Sequence, residues 1–291
     1  MNPSVIRCCD MHTGGEPLRI VESGLPEEIV SKEDSKILRK RTLLREKYDH
    51  IRQGLMSEPR GHKDMYGVFI VPPENPDSHF GAIFMHNEGY STMCGHAVIA
   101  LARYAVDKGI VEEKPDPKGD ILVKIDCPCG QVVAFCHFSD NAFLNGKTRF
   151  HSVPAFVHTE EVISSGVKVK HPENEGVNFV YGVIFTKDLG PNRTKNVCVF
   201  ADNAIDRCPT GSGVTARLAL MYAKGLVKIN QVVTFVSAVN GSEFTGSVLK
   251  TTTVGEYPSV VVEVTGKAHY SGESVFRWET DDPTSPGFLP R

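Results

Sequence analysis

The chain has 291 residues, of which 41% are hydrophobic and 23% are charged, with a formal net charge of -3 at pH 7. This composition is ordinary for a globular protein, and without a basic excess a nucleic-acid or membrane-surface partner is not expected. No apolar run reaches the roughly 20 residues that span a bilayer, and the N-terminus lacks the layout of a signal peptide. The eight cysteines lack zinc-ligand spacing, so we expect a reduced, cytoplasmic protein without a metal.

The N-terminal half begins with two strand-like segments, VIRCCDM and LRIVES. Residues 33–56 follow as a predicted helix, whose basic run 36–45 we interpret as a solvated amphipathic face rather than a binding patch. This run carries aliphatic side chains at helical spacing: Ile37, Leu38, Leu43 and Leu44. The strands YGVFIV and FGAIFMH then lead to a second helix, which begins after Met93 and ends at Gly109. Two more strands, ILVKI and QVVAFCHF, flank a predicted turn at 127–130.

The second half repeats the order of strands, helix and strands. A strand at 150–157 and the segments FVYGVIFT and KNVCVFAD precede a helix that starts at Thr210 and ends at Gly225. The alternating strands VVTFVSAV, SEFTGSVL and SVVVEVTG follow, and the tail holds one more strand before a proline-rich end. We therefore predict an α+β fold in which sheets wrap a central helix in each of two domains. The expected boundaries are 1–152, 153–264 and a C-terminal segment 265–291.

The two helix starts can be aligned without a gap. Fifteen positions separate Cys94 from Gly109 and Thr210 from Gly225. Identical residues recur inside both segments, at Gly95 and Gly211, Val98 and Val214, and Ala100 and Ala216. Helix ends use few residue types, so a chance match stays open beside a duplicated domain. In a duplicated domain, both helix N-termini could offer backbone amides to one carboxylate in a shared cleft.

Cys94 stands at the first of these helix starts. The helix N-terminus favours a thiolate there and is expected to lower the thiol pKa from about 8.5 toward neutrality. A thiolate beside carboxylate-binding amides could remove the α-proton of an amino acid. One alternative is that Cys94 is a small buried hydrophobic side chain. Another is a cysteine hydrolase with His96 as the base, which we disfavour because residues two apart at a helix start are expected to diverge.

Six motifs resemble the proline racemase family, whose relatives include diaminopimelate epimerase. They occur in family order over nearly the whole chain: MHTGGEP (11–17), PRGHKDM (59–65), HNEG (86–89), MCGH (93–96), DRCPTGSG (206–213) and GKAH (266–269). The resemblance implies two pseudo-symmetric domains with the active site in the interdomain cleft, and a C-terminus that returns to the first domain. It also implies a cofactor-independent reaction on an imino acid. The implied carboxylate ligands are Gly95, His96, Gly211 and Ser212, and Asp206 would bind the ring nitrogen.

Family racemases use two catalytic cysteines, and the second of these is replaced here. Cys94 matches the first cysteine, whereas Thr210 occupies the place of the second. A threonine hydroxyl is too weak an acid to replace a thiol, so the pair Cys94 and Thr210 resembles the branch that dehydrates trans-3-hydroxy-L-proline to Δ1-pyrroline-2-carboxylate. Cys94 would take the α-proton and the 3-hydroxyl would leave as water. A proline or 4-hydroxyproline racemase or epimerase is the alternative, and the family often forms homodimers.

Two departures from the family pattern affect this expectation. Cys208 lies where the family usually has serine, and it could offer a second thiol unless Pro209 directs it away. The stretch after the 150–157 strand is also short, because relatives are expected to have several tens more residues there, including a glycine- and aromatic-rich strand. The chain looks like a shortened or alternatively spliced form with an uncovered sheet edge. An inactive product that retains the motifs is therefore a further alternative.

Overall fold

A computed structural model describes residues 5–33, 36–137, 147–158, 170–173, 180–279 and 281–290. The chain divides into two compact units, Met1–Thr148 with Lys267–Arg291 and Arg149–Gly266. Strands predominate in both units, and each unit holds one helix of 13 residues. This mixture confirms the predicted α+β class. None of the helices in the described ranges is long and apolar enough to cross a membrane.

The first unit contains most of the helices. In chain order its elements are β1 (Val5–Thr13), β2 (Glu16–Ser23), α1 (Glu27–Val30), α2 (Ile37–Lys47), α3 (Asp49–Met56), β3 (Tyr66–Val71), β4 (Phe80–His86), β5 (Gly89–Tyr90), α4 (Gly95–Asp107), β6 (Asp120–Cys127) and β7 (Gly130–His137). The second unit continues with β8 (Thr148–His151), β9 (Ala155–Phe156), β10 (Gly182–Gly190), β11 (Arg193–Phe200), β12 (Ala204–Ile205), α5 (Gly211–Ala223), β13 (Val233–Ser237), β14 (Glu243–Val254) and β15 (Tyr257–Gly266). The last strand, β16 (Ala268–Arg277), pairs with β1 and so belongs to the first unit.

Helix α4 lies in the interior of the first unit, against a sheet with the strand order β7-β6-β4-β3-β2-β1-β16. Every residue from Gly95 to Ala102 is buried, which is the pattern of a helix enclosed on all sides. Gly109 follows the helix at a φ of 66°, a left-handed conformation that glycine adopts without strain. Strand pairing and helix burial together fix the position of Cys94, the residue before α4.

The predicted helix at 33–56 is in fact two helices, α2 and α3, because the backbone leaves helical geometry at Tyr48. Ile37 and Leu44 are buried as expected, whereas Leu38 is exposed. Lys40 is also buried, and its ammonium donates hydrogen bonds to the carbonyls of Ile29 and Ser31 at 2.8 and 2.6 Å. The basic face is thus only partly solvated.

In the second unit α5 packs against β9, β14 and β15. The strand order is β10-β11-β13-β14-β15-β8, and β11 and β13 are parallel. The predicted strand at 150–157 is two short strands, β8 and β9, separated by a segment that contains Pro154. Proline cannot donate a ladder hydrogen bond, which explains this interruption. Most of the short stretch that follows, 159–169 and 174–179, lies outside the described residues.

Strand β10 forms one edge of this sheet, and among the described strands it pairs with β11 alone. Ile184 points toward α5, since a Cβ added to Gly213 would lie 2.5 Å from its Cδ1 atom. Val183 and Phe185 alternate with it and are 54% and 61% exposed. An apolar edge strand of this kind agrees with the expectation that a covering segment is missing.

Candidate active site

Cys94 is the N-cap residue of α4, with extended backbone angles (φ −147°, ψ 112°). Its side chain is 7% exposed and makes no capping hydrogen bond to the first turn of the helix. The amides of that turn, including those of Gly95 and His96, are therefore not occupied by the thiol. The thiol contacts the His96 imidazole instead.

His96 is oriented to accept a proton from Cys94. Its Nδ1 atom lies 3.0 Å from Cys94 Sγ, while Nε2 lies 3.2 Å from the carbonyl oxygen of Pro17. A carbonyl only accepts, so Nε2 carries the proton in this arrangement and Nδ1 is the acceptor that faces the thiol. The Thr13 hydroxyl donates to the His96 carbonyl at 2.8 Å, which fixes the backbone at the same point.

The expectation that the Cys94 and His96 side chains diverge is wrong. That expectation assumed helical geometry at both residues, but Cys94 precedes the helix and its backbone is extended. Its side chain therefore does not follow the helical direction, and it meets the side chain two residues further on. The structure thus assembles a thiol–imidazole pair from the MCGH motif.

Two further aromatic rings pack around this pair. The Tyr66 ring meets the His96 ring edge-to-face, with centroids 5.0 Å apart, and the His86 ring stacks on Tyr66 at 5.9 Å. The Tyr66 hydroxyl also contacts the Ser91 hydroxyl. Burial, with the Arg52 guanidinium nearby, lowers the pKa of His86 from 6.5 to about 4, so this imidazole is neutral. Sequence reasoning missed Tyr66, and the only signal was its place directly after the PRGHKDM motif.

Two other thiols, those of Cys127 and Cys129, lie at the hairpin between β6 and β7. The predicted turn at 127–130 is present, with Cys127 paired to Gly130. A hydrogen bond between the two thiols, more than burial, raises the pKa of Cys127, and it lowers that of Cys129. The Cys129 amide donates to the Thr92 carbonyl at 3.1 Å. This bond ties the hairpin to the loop that precedes Cys94.

In the second unit, Thr210 is the N-cap of α5 and has an unusual backbone. Its φ of 65° is rare for a β-branched residue and stores strain of the kind found at functional sites. The buried Thr210 hydroxyl does not cap α5, and within the described ranges it has no hydrogen-bond partner. The amide of Thr210 donates to Cys208 Sγ at 3.2 Å, and the Asn196 side chain donates to the Pro209 carbonyl at 2.8 Å. Two hydrogen bonds, one to Cys208 and one from Asn196, therefore stabilise the strained turn.

The remaining predicted residues of this unit lie on the same turn. Asp206 is buried, and its Oδ1 atom accepts the Cys208 amide at 2.8 Å. Gly211 is buried and Ser212 is exposed, both in the first turn of α5. Cys208 is fully buried and its sulfur accepts the Thr210 amide, so it supports the turn. That Pro209 directs Cys208 away from the substrate stays a prediction.

The chain thus has an α+β fold of two units, and the first unit holds a thiol–imidazole pair at a helix N-terminus. The chain belongs to the proline racemase family, because the family model for proline racemase matches residues 8–165 and 160–289. A human protein named trans-3-hydroxy-L-proline dehydratase is 43% identical over 339 positions, which cover 98% of this chain and 94% of the human protein.

Solved structures of the family share the fold. A probable proline racemase from Agrobacterium radiobacter K84 has a TM-score of 0.85 at 22% identity, covering 98% of this chain and 96% of its own. A hydroxyproline epimerase from Agrobacterium vitis, with bound trans-4-hydroxy-L-proline, has a TM-score of 0.84 at 21% identity, covering 99% and 96%. At these identities the likeness shows the fold alone.

The comparisons also bear on the short stretch after β9. The alignment with the human protein extends over 339 positions although this chain has only 291 residues, so tens of those positions have no counterpart here. The two matched parts of the family model overlap at residues 160–165. Both observations agree with the prediction of an internal segment that relatives have and this chain lacks.

Proposed function

We propose that this chain is a hydro-lyase that converts trans-3-hydroxy-L-proline into Δ1-pyrroline-2-carboxylate. The contact between Cys94 Sγ and His96 Nδ1 carries the chemical part of the proposal. The substrate comes from the name of the human relative, which is 43% identical. The threonine at 210, in place of a second cysteine, agrees with a lyase rather than a racemase.

The reaction begins with proton transfer within the pair. His96 Nδ1 accepts the thiol proton, and the resulting thiolate takes the proton from the α-carbon of the substrate. The electrons of that C–H bond form a double bond between C2 and C3 as the C3–O bond breaks. Backbone amides of Gly95 and His96, at the N-terminus of α4, bind the substrate carboxylate and stabilise the charge that develops on it.

The stereochemistry of the substrate explains why one thiol is sufficient. In trans-3-hydroxy-L-proline the hydroxyl is trans to the carboxylate, and therefore lies on the same ring face as the α-hydrogen. The thiol formed when Cys94 takes the α-proton faces the departing hydroxyl and can return that proton to it, so that water leaves. The enamine that remains tautomerises to the Δ1 imine. No proton has to reach the α-carbon from the opposite face.

Residues of the second unit enter the proposal through the family resemblance. We assign Asp206 to the ring nitrogen of the substrate, and the amides of Gly211 and Ser212 to its carboxylate. Thr210 is assigned to the position of the second racemase cysteine, where its strained backbone and buried hydroxyl support a functional role. Its hydroxyl is too weak an acid to reprotonate a carbanion.

Release of product from trans-3-hydroxy-L-proline tests this function. The pyrroline product reacts with o-aminobenzaldehyde and can be followed by absorbance. Cys94→Ser should lower kcat by roughly 10²–10⁴-fold, because it removes the acid–base group. Cys136→Ser is the matched control, since Cys136 is another buried thiol of the first unit. A well-folded protein with no product, or one whose rate survives Cys94→Ser, would contradict the proposal.

The same assays separate the alternatives. Inversion of L-proline, followed by polarimetry in D₂O, would favour a racemase, whereas α-deuterium exchange without inversion would support a single base. Hydrolysis of a simple aryl ester that depends on Cys94 would favour a cysteine hydrolase, which the contact with His96 permits. Pyrrole-2-carboxylate, a planar mimic of the deprotonated substrate, should raise the thermal transition unless the chain is an inactive product.

We propose in addition that the reaction is cofactor-independent and takes place in a reducing compartment, the cytoplasm. All eight cysteines lie in the described part of the chain, and none of them forms a disulfide there. Disulfide formation at this density of thiols would be expected in an oxidising compartment. A homodimer stays a prediction, and sedimentation velocity would test it.

A further inference from the structure

Tyr66 is a buried aromatic residue beside the thiol–imidazole pair that the proposed reaction does not use. It is the first residue of β3, and only 4% of its surface is exposed. Its ring contacts the His96 ring edge-to-face at an interplanar angle of 74°, and the His86 ring stacks on it at 30°. Tyr66 therefore lies between two imidazoles, one of which contacts Cys94.

The position of Tyr66 is itself fixed. In the β3–β4 ladder Tyr66 is the direct partner of His86, so the two rings share one face of the sheet. Its hydroxyl contacts the Ser91 hydroxyl, and the Ser91 amide donates to the Phe84 carbonyl at 3.2 Å. Because the Tyr66 ring is held at both its backbone and its hydroxyl, it can restrict the orientation of the His96 ring that packs against it.

The orientation of the His96 imidazole depends on such a contact. Its Nδ1 atom accepts the thiol proton only while the imidazole keeps one orientation, and the bond from Nε2 to the Pro17 carbonyl, at 3.2 Å, fixes one end of the ring. The Tyr66 ring supplies the lateral contact. Loss of that contact would let the imidazole tilt, and misplacement by about 1 Å can cost up to roughly 100-fold in rate.

We propose that Tyr66 is a positioning residue for the Cys94–His96 pair, holding the imidazole so that Nδ1 faces Sγ. The inference rests on the proposed function for its kinetic consequence, but the thiol reactivity that it predicts does not depend on the substrate. Three titratable groups of the neighbouring strands interact with this arrangement: Tyr66 on β3 contacts the His96 ring, His86 on β4 stacks on Tyr66, and Cys127 on β6 interacts electrostatically with Cys94.

The test compares Tyr66→Leu, Tyr66→Phe and Tyr104→Leu. Tyr104 is the matched control because it is another buried tyrosine of the first unit, 5% exposed, whose hydroxyl donates to Glu22 at 2.8 Å. Alkylation of Cys94 by iodoacetamide is followed from pH 5 to 10 by mass spectrometry of the peptide that contains it. The same variants are assayed for kcat and KM with trans-3-hydroxy-L-proline.

Tyr66→Leu should move the midpoint of Cys94 alkylation about one pH unit higher, because a tilted imidazole no longer takes the thiol proton. Tyr66→Leu should also lower kcat about tenfold with KM unchanged. Tyr66→Phe keeps the ring, so its alkylation midpoint and its kcat should stay close to those of the parent protein. A parental alkylation profile in folded Tyr66→Leu, or an equal shift in Tyr104→Leu, would overturn the inference. If alkylation shifts but the parent protein makes no product, the proposed function fails and the positioning role stands.

Discussion

Acidification from pH 7 to pH 5 should destabilise the first unit, because His86 is neutral where it is buried. Its side chain is 8% exposed, and its Nδ1 atom accepts the Glu88 amide at 3.2 Å, a bond that requires an unprotonated nitrogen. The Arg52 guanidinium, which donates to the His86 carbonyl at 2.8 Å, disfavours a second positive charge. Replacing His86 by asparagine keeps an acceptor for the Glu88 amide and removes the titration.

The size of the effect follows from the two pKa values of His86. Burial lowers the pKa from 6.5 to about 4 in the folded protein, so between these values the unfolded chain binds a proton that the folded chain does not. The free energy of unfolding therefore falls as the pH falls through this window, and this imidazole has no effect above it. At 1.36 kcal/mol per unit, the loss between pH 6.5 and pH 5 is about 2 kcal/mol.

Urea unfolding at pH 7 and pH 5 provides the measurement. Trp278 is the single tryptophan and belongs to the first unit, so its fluorescence reports the unit that contains His86. The decrease in unfolding free energy on acidification should be about 2 kcal/mol smaller in His86→Asn than in the parent, since other groups titrate alike in both. Equal decreases in the two proteins would show that His86 does not stay neutral, and the reasoning would fail.

Three further predictions concern the proposed reaction and the α5 turn. Thr210→Cys should add inversion of L-proline, seen by polarimetry, because a second thiol can return a proton to the α-carbon; retention of dehydration alone would count against the assigned position. Cis-3-hydroxy-L-proline should react about 100-fold more slowly in the o-aminobenzaldehyde assay, since its hydroxyl lies on the face opposite the α-hydrogen; equal rates would exclude proton return by Cys94. Gly213→Ala should cost about 1–3 kcal/mol in thermal unfolding, because its Cβ would lie 2.5 Å from Ile184 and 3.1 Å from Thr210; an unchanged transition would contradict this packing.

The sequence was sufficient to predict the α+β class and where each of the two central helices begins and ends. Both helices are 13 residues long, and each is followed by a lysine and a glycine with positive φ. Gly109 and Gly225 were recognisable because few other residues adopt this conformation easily. Apolar periodicity and the terminal glycine were enough to place these elements.

The contact between Cys94 and His96 could not be predicted from spacing, since it depends on the extended backbone of an N-cap residue. The role inferred for Tyr66 depends on strand pairing with His86, which is a long-range property of the fold. The break at Tyr48 was missed because helical periodicity continues on both sides of it. These features arise from tertiary contacts, and a single sequence does not encode them as a local pattern.

The exposed edge strand β10 has a consequence for how the polypeptide behaves at high concentration. Among the described strands only β11 pairs with it, and an edge strand of this kind can pair with the same strand of another molecule. Val183 and Phe185 add exposed apolar surface, and its removal from water favours this pairing between molecules. Self-association through this edge would increase with protein concentration, so the monomeric fraction would be largest in dilute solution.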